Sequence, residues 1–385
     1  MRKKVHIGDL GTVVTGKTPS KSNKAFYGDY ALFLKPTDIS EFCKFTYKTE
    51  EMFSQLAADK FGSSLIPKGA ICIPCIGTIG TKMTMSHCDC YTNQSINSII
   101  CNENYDNEYV YYLMKNFLPN LKSYNLGTAS GREFISKSNF EKIEIVAEQN
   151  KNKQKEIGKF LSRYDSLIEN YQKQIKLLEE SAQRLYKEWF IDLRFPGHEN
   201  TKIVDGVPEG WEKKCVDSIY SIKYGKNLST KLIEEKGDYP VYGANGVIGY
   251  YSEANCNEQV VLITSRGNGS GDVLMTYHKE AFITNNSFIV TPLEEYFYCQ
   301  LPFTYQFLKC ANFRNVRTGA AQPQLTNQSI HTIDVILPTK DVIVEFCKKT
   351  DSNNSLIINL KEGIRHLTEA RNRLLPKLMN GEITL

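Results

Sequence analysis

From about residue 150 to residue 190 the chain carries a heptad seam, and this feature most narrows how it can fold. Apolar or aromatic side chains fall at Ile157, Leu161, Tyr164, Ile168, Tyr171, Ile175, Leu178, Ala182, Leu185 and Trp189, in steps that alternate four and three. Glu, Lys, Gln and Arg fill most positions between them, and no Gly or Pro interrupts the run from Lys159 to Ile191. The spacing predicts one long helix with an apolar stripe. At about 1.5 Å per residue the stripe is roughly 48 Å long, more than a lone helix can hide. A partner follows: Ile357, Leu360, Ile364, Leu367, Arg371, Leu374 and Leu378 repeat the spacing with one charged interruption. The expected packing set is Ile168, Tyr171, Ile175, Leu178, Leu185 and Trp189 against Ile357, Leu360, Ile364, Leu367 and Leu374.

The two helices close on related segments, Glu180-Ser181-Ala182-Gln183-Arg184-Leu185 and Glu369-Ala370-Arg371-Asn372-Arg373-Leu374, about 190 residues apart. Other landmarks recur in the same order at nearly that spacing. Ile71-Cys72-Ile73 before Gly77 matches Val261-Leu262-Ile263 before Gly267. Thr92-Asn93-Gln94-Ser95-Ile96 matches Thr284-Asn285-Asn286-Ser287-Phe288, and Ile143-Glu144-Ile145 matches Ile333-Asp334-Val335. The period is far too long for a solenoid, so the chain is one duplicated unit. Strands are predicted over residues 31–37, 69–74, 95–100 and 142–146, with a helix over 108–117. A turn-rich linker runs from Arg194 to Trp211. The expected fold is mixed α/β (α+β). Globular domains at 1–148 and 194–338 are joined by a long antiparallel two-helix coiled coil, 149–193 and 339–380, with a pseudo-two-fold internal repeat. Duplex DNA has local two-folds of its own, and the stripe corresponds to roughly 14 base pairs.

Composition permits this without demanding it. The chain has 385 residues, 41% apolar and 23% charged, with a formal charge of +4, too small an excess for a dedicated non-specific DNA binder. No apolar run approaches 18 residues, and the first residues lack the apolar stretch of a signal peptide, so a cytoplasmic protein is expected with no membrane partner. Eleven cysteines in such a protein are read as free thiols. Cys72, Cys75, His87, Cys88 and Cys90 offer a zinc-like spacing, but Cys72 alternates with Ile71 and Ile73 on a predicted strand. The repeat puts Leu262 and Ser265 where Cys72 and Cys75 stand, so no metal is expected. The run Ser265-Arg266-Gly267-Asn268-Gly269-Ser270-Gly271 resembles a phosphate loop, yet a strand rather than a helix follows it. A hairpin or bulge is predicted. No P-loop and no Asn-Pro-Pro-Tyr-like tetrad for a flipped base is found, so no cofactor is expected in this chain.

Several segments, taken in order inside the repeat, are similar to one family. They are the helix end from Leu185-Tyr186-Lys187-Glu188-Trp189-Phe190 to Phe195-Pro196-Gly197, then Pro208-Glu209-Gly210-Trp211 and Tyr242-Gly243-Ala244-Asn245-Gly246-Val247-Ile248-Gly249. The last is Arg373-Leu374-Leu375-Pro376-Lys377-Leu378-Met379-Asn380-Gly381-Glu382-Ile383. Across essentially its whole length the chain resembles the specificity subunits of type I restriction–modification enzymes. The resemblance implies a non-catalytic subunit whose two target-recognition domains each read half of a split site on double-stranded DNA, with the paired helices setting the separation. It implies docking of two methyltransferase (modification) subunits that transfer a methyl group from S-adenosylmethionine to adenine. In the full enzyme it also implies translocating restriction subunits.

Base reading calls for Asn, Gln, Arg and Lys on loops that can enter a groove. The candidates are Lys17, Thr18, Lys35, Thr78, Lys82 and Arg132 in the first half. In the second they are Lys223, Tyr224, Lys226, Asn245, Arg266, Asn268, Arg317 and Gln322. Asn93 and Asn285 stand at equivalent places and are assigned to turns. Two other classes compete with this reading. A self-contained DNA methyltransferase or nuclease is disfavoured because both halves look alike and neither carries a cofactor loop. A coiled-coil scaffold without a DNA role would show no salt-sensitive, sequence-dependent binding.

Overall fold

The computed structural model describes residues 2–125, 133–319 and 323–385. It divides into two compact units, Met1–Tyr171 with Gly363–Leu385, and Gln172–Glu362. Each unit has its own apolar core.

Among the described residues the first unit contains nine strands: β1 (Arg2–His6), β2 (Gly11–Thr15), β3 (Tyr27–Leu34), β4 (Met52–Phe53), β5 (Ile71–Pro74), β6 (Thr84–Met85), β7 (Cys90–Thr92), β8 (Ile96–Cys101) and β9 (Glu144–Glu148). They form an antiparallel pair β1-β9, an antiparallel four-stranded sheet β2-β8-β5-β6, and a three-stranded sheet β4-β3-β7 in which β3 and β7 run parallel. Its helices are α1 (Gln55–Lys60), α2 (Asn107–Phe117), α3 (Lys137–Glu141) and the first part of α4 (Lys151–Tyr186). Asp106 caps α2 by accepting from Tyr109 N at 3.1 Å, and the helix buries Val110, Leu113 and Met114 in the core. The strand predicted over 31–37 ends early. Pro36 opens a 3-10 turn, and Asp38 fixes it by accepting from Lys35 N at 2.8 Å.

The second unit repeats this plan. After the short hairpin β10 (Ile203–Val204) and β11 (Val207–Pro208) come β12 (Glu212–Cys215), β13 (Tyr220–Tyr224), β14 (Tyr239–Gly243), β15 (Gly246–Tyr251), β16 (Val261–Thr264), β17 (Val273–Met275), β18 (Phe282–Ile283), β19 (Ser287–Pro292) and β20 (Asp334–Leu337). The sheets are β12-β20, β13-β19-β16-β17 and β15-β14-β18, with β14 and β18 parallel, so every sheet of the first unit has a counterpart of the same order. The helices are the rest of α4, α5 (Leu301–Cys310), α6 (Asn327–Ile330) and the first part of α7 (Lys340–Asn380). α7 starts well before its seam, because Ile343, Phe346 and Cys347 belong to the unit's core.

Within each unit a stretch of α4 packs antiparallel on a stretch of α7. Asn150 starts α4 by accepting from Asn152 N and Lys153 N at 2.9 and 3.2 Å. In the first unit Ile157, Leu161 and Ile168 are buried, and Tyr171 lies over Gly363, where an added Cβ would stand 2.8 Å from the ring. Further along, the charged interruption of the seam is explained: buried Arg371 pairs with buried Asp165, which also accepts from the Tyr112 hydroxyl. In the second unit Ile175, Trp189, Ile357 and Leu360 are buried, and Trp189 meets Phe346 with ring centroids 6.0 Å apart. Tyr171, Leu178, Leu185, Ile364, Leu367 and Leu374 are half-buried, as expected on a two-helix seam with open flanks. α4 passes into a π-turn at Lys187–Ile191, which brings Phe190 beside Trp189 in the core.

Candidate nucleic-acid interface

The same turn follows β5 in one unit and β16 in the other. Gly77 and Gly267 both have φ +81°, and Gly80 and Gly271 have φ +75° and +86°, backbone that L-residues adopt only under strain. Each turn is held by a second segment. Gly77 N donates to Glu133 O and Ile135 N to Cys75 O, at 3.0 and 2.9 Å. In the other unit Gly267 N donates to Pro323 O and Leu325 N to Ser265 O, at 3.0 and 2.7 Å. The sequence Gly-rich run is therefore the connection of an antiparallel hairpin, β16 to β17, as its flanking strands predict. A third segment, the exit of β2 or β13, crosses nearby: a Cβ on Gly16 would stand 2.0 Å from Thr92 O, and one on Gly225 2.4 Å from Thr284 O. Asn93 forms an Asx turn, accepting from Ser95 N at 3.1 Å, and Asn285 N donates to Lys226 O at 2.9 Å.

In the second unit this frame gathers several of the predicted residues. Arg266 pairs through its backbone with Gln324 and leaves its side chain exposed, and Asn268 is exposed at the turn itself. Asn245 sits at the tip of the β14–β15 hairpin, which Thr264 ties to the turn by donating to Ala244 O at 2.7 Å. Its Oδ1 lies 3.3 Å from where a Cβ on Gly269 would stand. Lys226 is exposed just past Gly225. Arg317 Nε donates to Arg314 O at 2.9 Å. Tyr224 is partly a packing residue: its ring lies 4.2 Å from that of Phe288 and its hydroxyl donates to Leu325 O at 3.5 Å. Strand alternation puts exposed Lys223 on the face opposite Tyr224, so the two do not share one surface. Gln322 lies outside the described residues.

The first unit brings together fewer of its candidates. Lys17 and Thr78 are exposed, Lys82 is half-buried, and Thr18 donates to Gln94 next to Asn93. Lys35 is already matched by Glu50 and Glu51, at 2.7 and 3.3 Å; burial works to lower its pKa, but these two carboxylates carry it above the ordinary lysine value. Arg132 lies outside the described residues. Two cations beside the turns escaped the sequence reading. Lys122 Cγ comes within 2.9 Å of a Cβ built on Gly80, and Arg314 N within 3.0 Å of one built on Gly271. They follow buried Leu121 and Phe313, in 3-10 turns after α2 and α5, so the repeat itself could have found them.

The arrangement offers hydrogen-bond donors and backbone curvature to a groove. Arg can pair bidentately with guanine and Asn with adenine, while glycine turns admit phosphates closely. Among the described residues no group of three or more His, Cys, Asp or Glu could hold a metal ion. Burial pushes the Cys75 thiol up to about 12, and the His87 ring packs on Tyr47 with centroids 4.7 Å apart. Among the described residues no cysteine forms a disulfide. Among the described residues no helix is long and apolar enough to cross a membrane.

Comparison with known proteins places this geometry. The chain is 26% identical over 408 residues to the MjaIX type I restriction enzyme specificity subunit of Methanocaldococcus jannaschii, covering 98% of this chain and 92% of that one. A segment is 38% identical over 143 residues to the HindI type I restriction enzyme specificity subunit of Haemophilus influenzae, covering 36% of this chain and 30% of that one. The fold is shared with the crystal structure of a type I restriction-modification system S subunit from M. genitalium, at TM-score 0.56 and 19% identity, over 98% of this chain and 96% of that one. The family description "Type I restriction modification DNA specificity domain" matches twice, over residues 2–180 and 208–366, once for each copy of the repeat. With both halves of the chain matched, the protein belongs to the type I restriction–modification DNA specificity family.

Proposed function

We propose that each unit reads one half of a split sequence in double-stranded DNA through its glycine turn and the segments tied to it. The carrying observation is that two copies of one frame present exposed Arg266, Asn268, Asn245 and Lys226 in one unit, and Lys17 and Thr78 in the other. The chain is a recognition subunit and not the catalyst, so neither a self-contained methyltransferase or nuclease nor a scaffold without a DNA role fits it. Specificity subunits work in type I complexes on DNA. The finer reading is that two methyltransferase subunits, carrying S-adenosylmethionine, dock on this chain and methylate adenine, with restriction subunits joining in the full enzyme. Residues 1–148 and 194–338 are the recognition domains in this reading. The helices in 149–193 and 339–380 set the distance between half-sites, and the complex works in the cytoplasm.

Two measurements test this. Methylome sequencing of cells with and without the gene should reveal one split motif, methylated on adenine, that disappears with it. Arg266→Ala should weaken binding to a duplex carrying that motif by about 1–3 kcal/mol while leaving methyltransferase docking intact. An unchanged affinity at low and moderate salt removes Arg266 from the reading surface.

A further inference from the structure

One cation on the second reading face already has an anionic partner. Arg314 Nε and Nη2 both donate to Asp272 Oδ1, at 2.9 and 2.5 Å, and the two side chains stay 56% and 40% exposed. The backbone brings them together. Asp272 N donates to Gly269 O and Gly271 N to Thr264 O, each at 2.8 Å, while the Phe313 side chain before Arg314 is anchored in the core. The first unit holds Lys122 at the corresponding place, against Gly80; Thr81 and Lys82 follow that glycine, and the carboxylate at this turn, Glu133, accepts from Ile79 N at 3.4 Å and makes no ion pair with Lys122.

We propose that Lys122 and Arg314 are equivalent contacts to DNA phosphate. In this arrangement Asp272 is an internal stand-in for phosphate, which Arg314 exchanges for the duplex backbone on binding. The proposal rests on the turn face being the DNA interface. A guanidinium donates to a carboxylate and to a phosphate with the same fork of N–H groups. An ion pair this open to water is weak and easily exchanged, whereas a phosphate contact also releases a condensed counterion. Asp272 therefore holds Arg314 in place before binding, and it repels a duplex whose backbone does not take its position. Among the described residues no carboxylate pairs with Lys122 in this way in the first unit.

The test uses the full chain, with fluorescent duplexes either of randomised sequence or carrying the methylated motif, titrated across a salt series. Asp272→Asn is expected to tighten binding about three-fold. Arg314→Gln and Lys122→Gln are each expected to weaken it and to lower the slope of log K against log salt by about one. Opposite signs for Asp272→Asn and Arg314→Gln are the signature. A pair that merely braces the turn gives losses in both variants, and that result overturns the proposal. So does a gain in Asp272→Asn that is matched by Glu345→Gln, an exposed carboxylate on α7, since bulk charge would then explain it. So does an unchanged slope in both Arg314→Gln and Lys122→Gln. If Arg266→Ala alters discrimination between the duplexes while the signature fails, only the exchange is wrong. If Arg266→Ala also changes nothing, the interface reading itself falls.

Discussion

At the scale of single residues, the turn glycines separate backbone strain from crowding. A Cβ on Gly267 meets nothing within 4 Å, so Gly267→Ala costs only the left-handed backbone, about 1–2 kcal/mol. Gly271 has the same constraint, and its Cβ would also press on the backbone of Arg314 and Phe313 at 3.0 and 3.1 Å. Gly271→Ala should therefore be the more destabilising of the two in urea unfolding, and equal losses would show that the turn relaxes freely. The glycine spacing made the hairpin legible in the sequence, because a strand and not a helix follows it. The environment of each polar side chain was not legible. Lys35 looks like any loop lysine until the β3–β4 connection returns Glu50 and Glu51 to it. Nor does the sequence show that the ring of Tyr224, still exposed, packs on Phe288. Lys122 and Arg314 lie outside the glycine-rich runs; the repeat aligns them after Leu121 and Phe313, but their closeness to the turns shows only in the folded chain.

At the scale of elements, the heptad pattern announced both long helices but treated Arg371 as a flaw in the stripe. Its partner Asp165 stands on α4 between Tyr164 and Ile168, and both charges are almost fully enclosed, at 8% and 7% side-chain exposure. The repeat substitutes Ala182 and Asn354 at the corresponding places of the second unit, so the pair marks one end of the helix pairing only. Removing one member strands a buried charge. Arg371→Ala should cost about 3–5 kcal/mol in urea unfolding, and Arg371→Met with Asp165→Leu should recover much of it. A loss near zero for Arg371→Ala would mean water reaches the site. The pH dependence has a definite sign. Burial works to raise the Asp165 pKa, but the charges of Lys115 and Arg371, with hydrogen bonds from Tyr112 and Arg371, bring it below the ordinary aspartate value of 3.8. A carboxyl depressed on folding contributes stability above its unfolded pKa and loses it as the pH falls through the folded one. Asp165→Asn should therefore flatten the loss of stability below about pH 4, and an unaltered acid limb would show that other carboxylates dominate it.

At the scale of the molecule, the duplication is the part of the fold that the sequence displayed most fully. Landmarks at one spacing became three pairs of sheets with the same strand order. What the repeat could not display is how far the copies have diverged around the glycine turns. The β14–β15 hairpin puts Asn245 next to its turn, whereas the β3–β4 connection of the first unit spends the same stretch on Lys35 and its two glutamates. Copies that share a frame and differ in such side chains should recognise different bases. Each unit has its own core and its own turn, so a change to one reading surface should leave the other folded and selective. Replacing Arg266 and Asn268 by Ala should relax one half of the methylated motif, base by base, and leave the other half as it was. Changing Thr78 and Lys82 should do the reverse. Methylome sequencing of cells carrying each variant reads both halves in a single experiment. Relaxation spread over both halves by either variant would mean that the units do not read independently, and the division of labour argued from the repeat would be wrong.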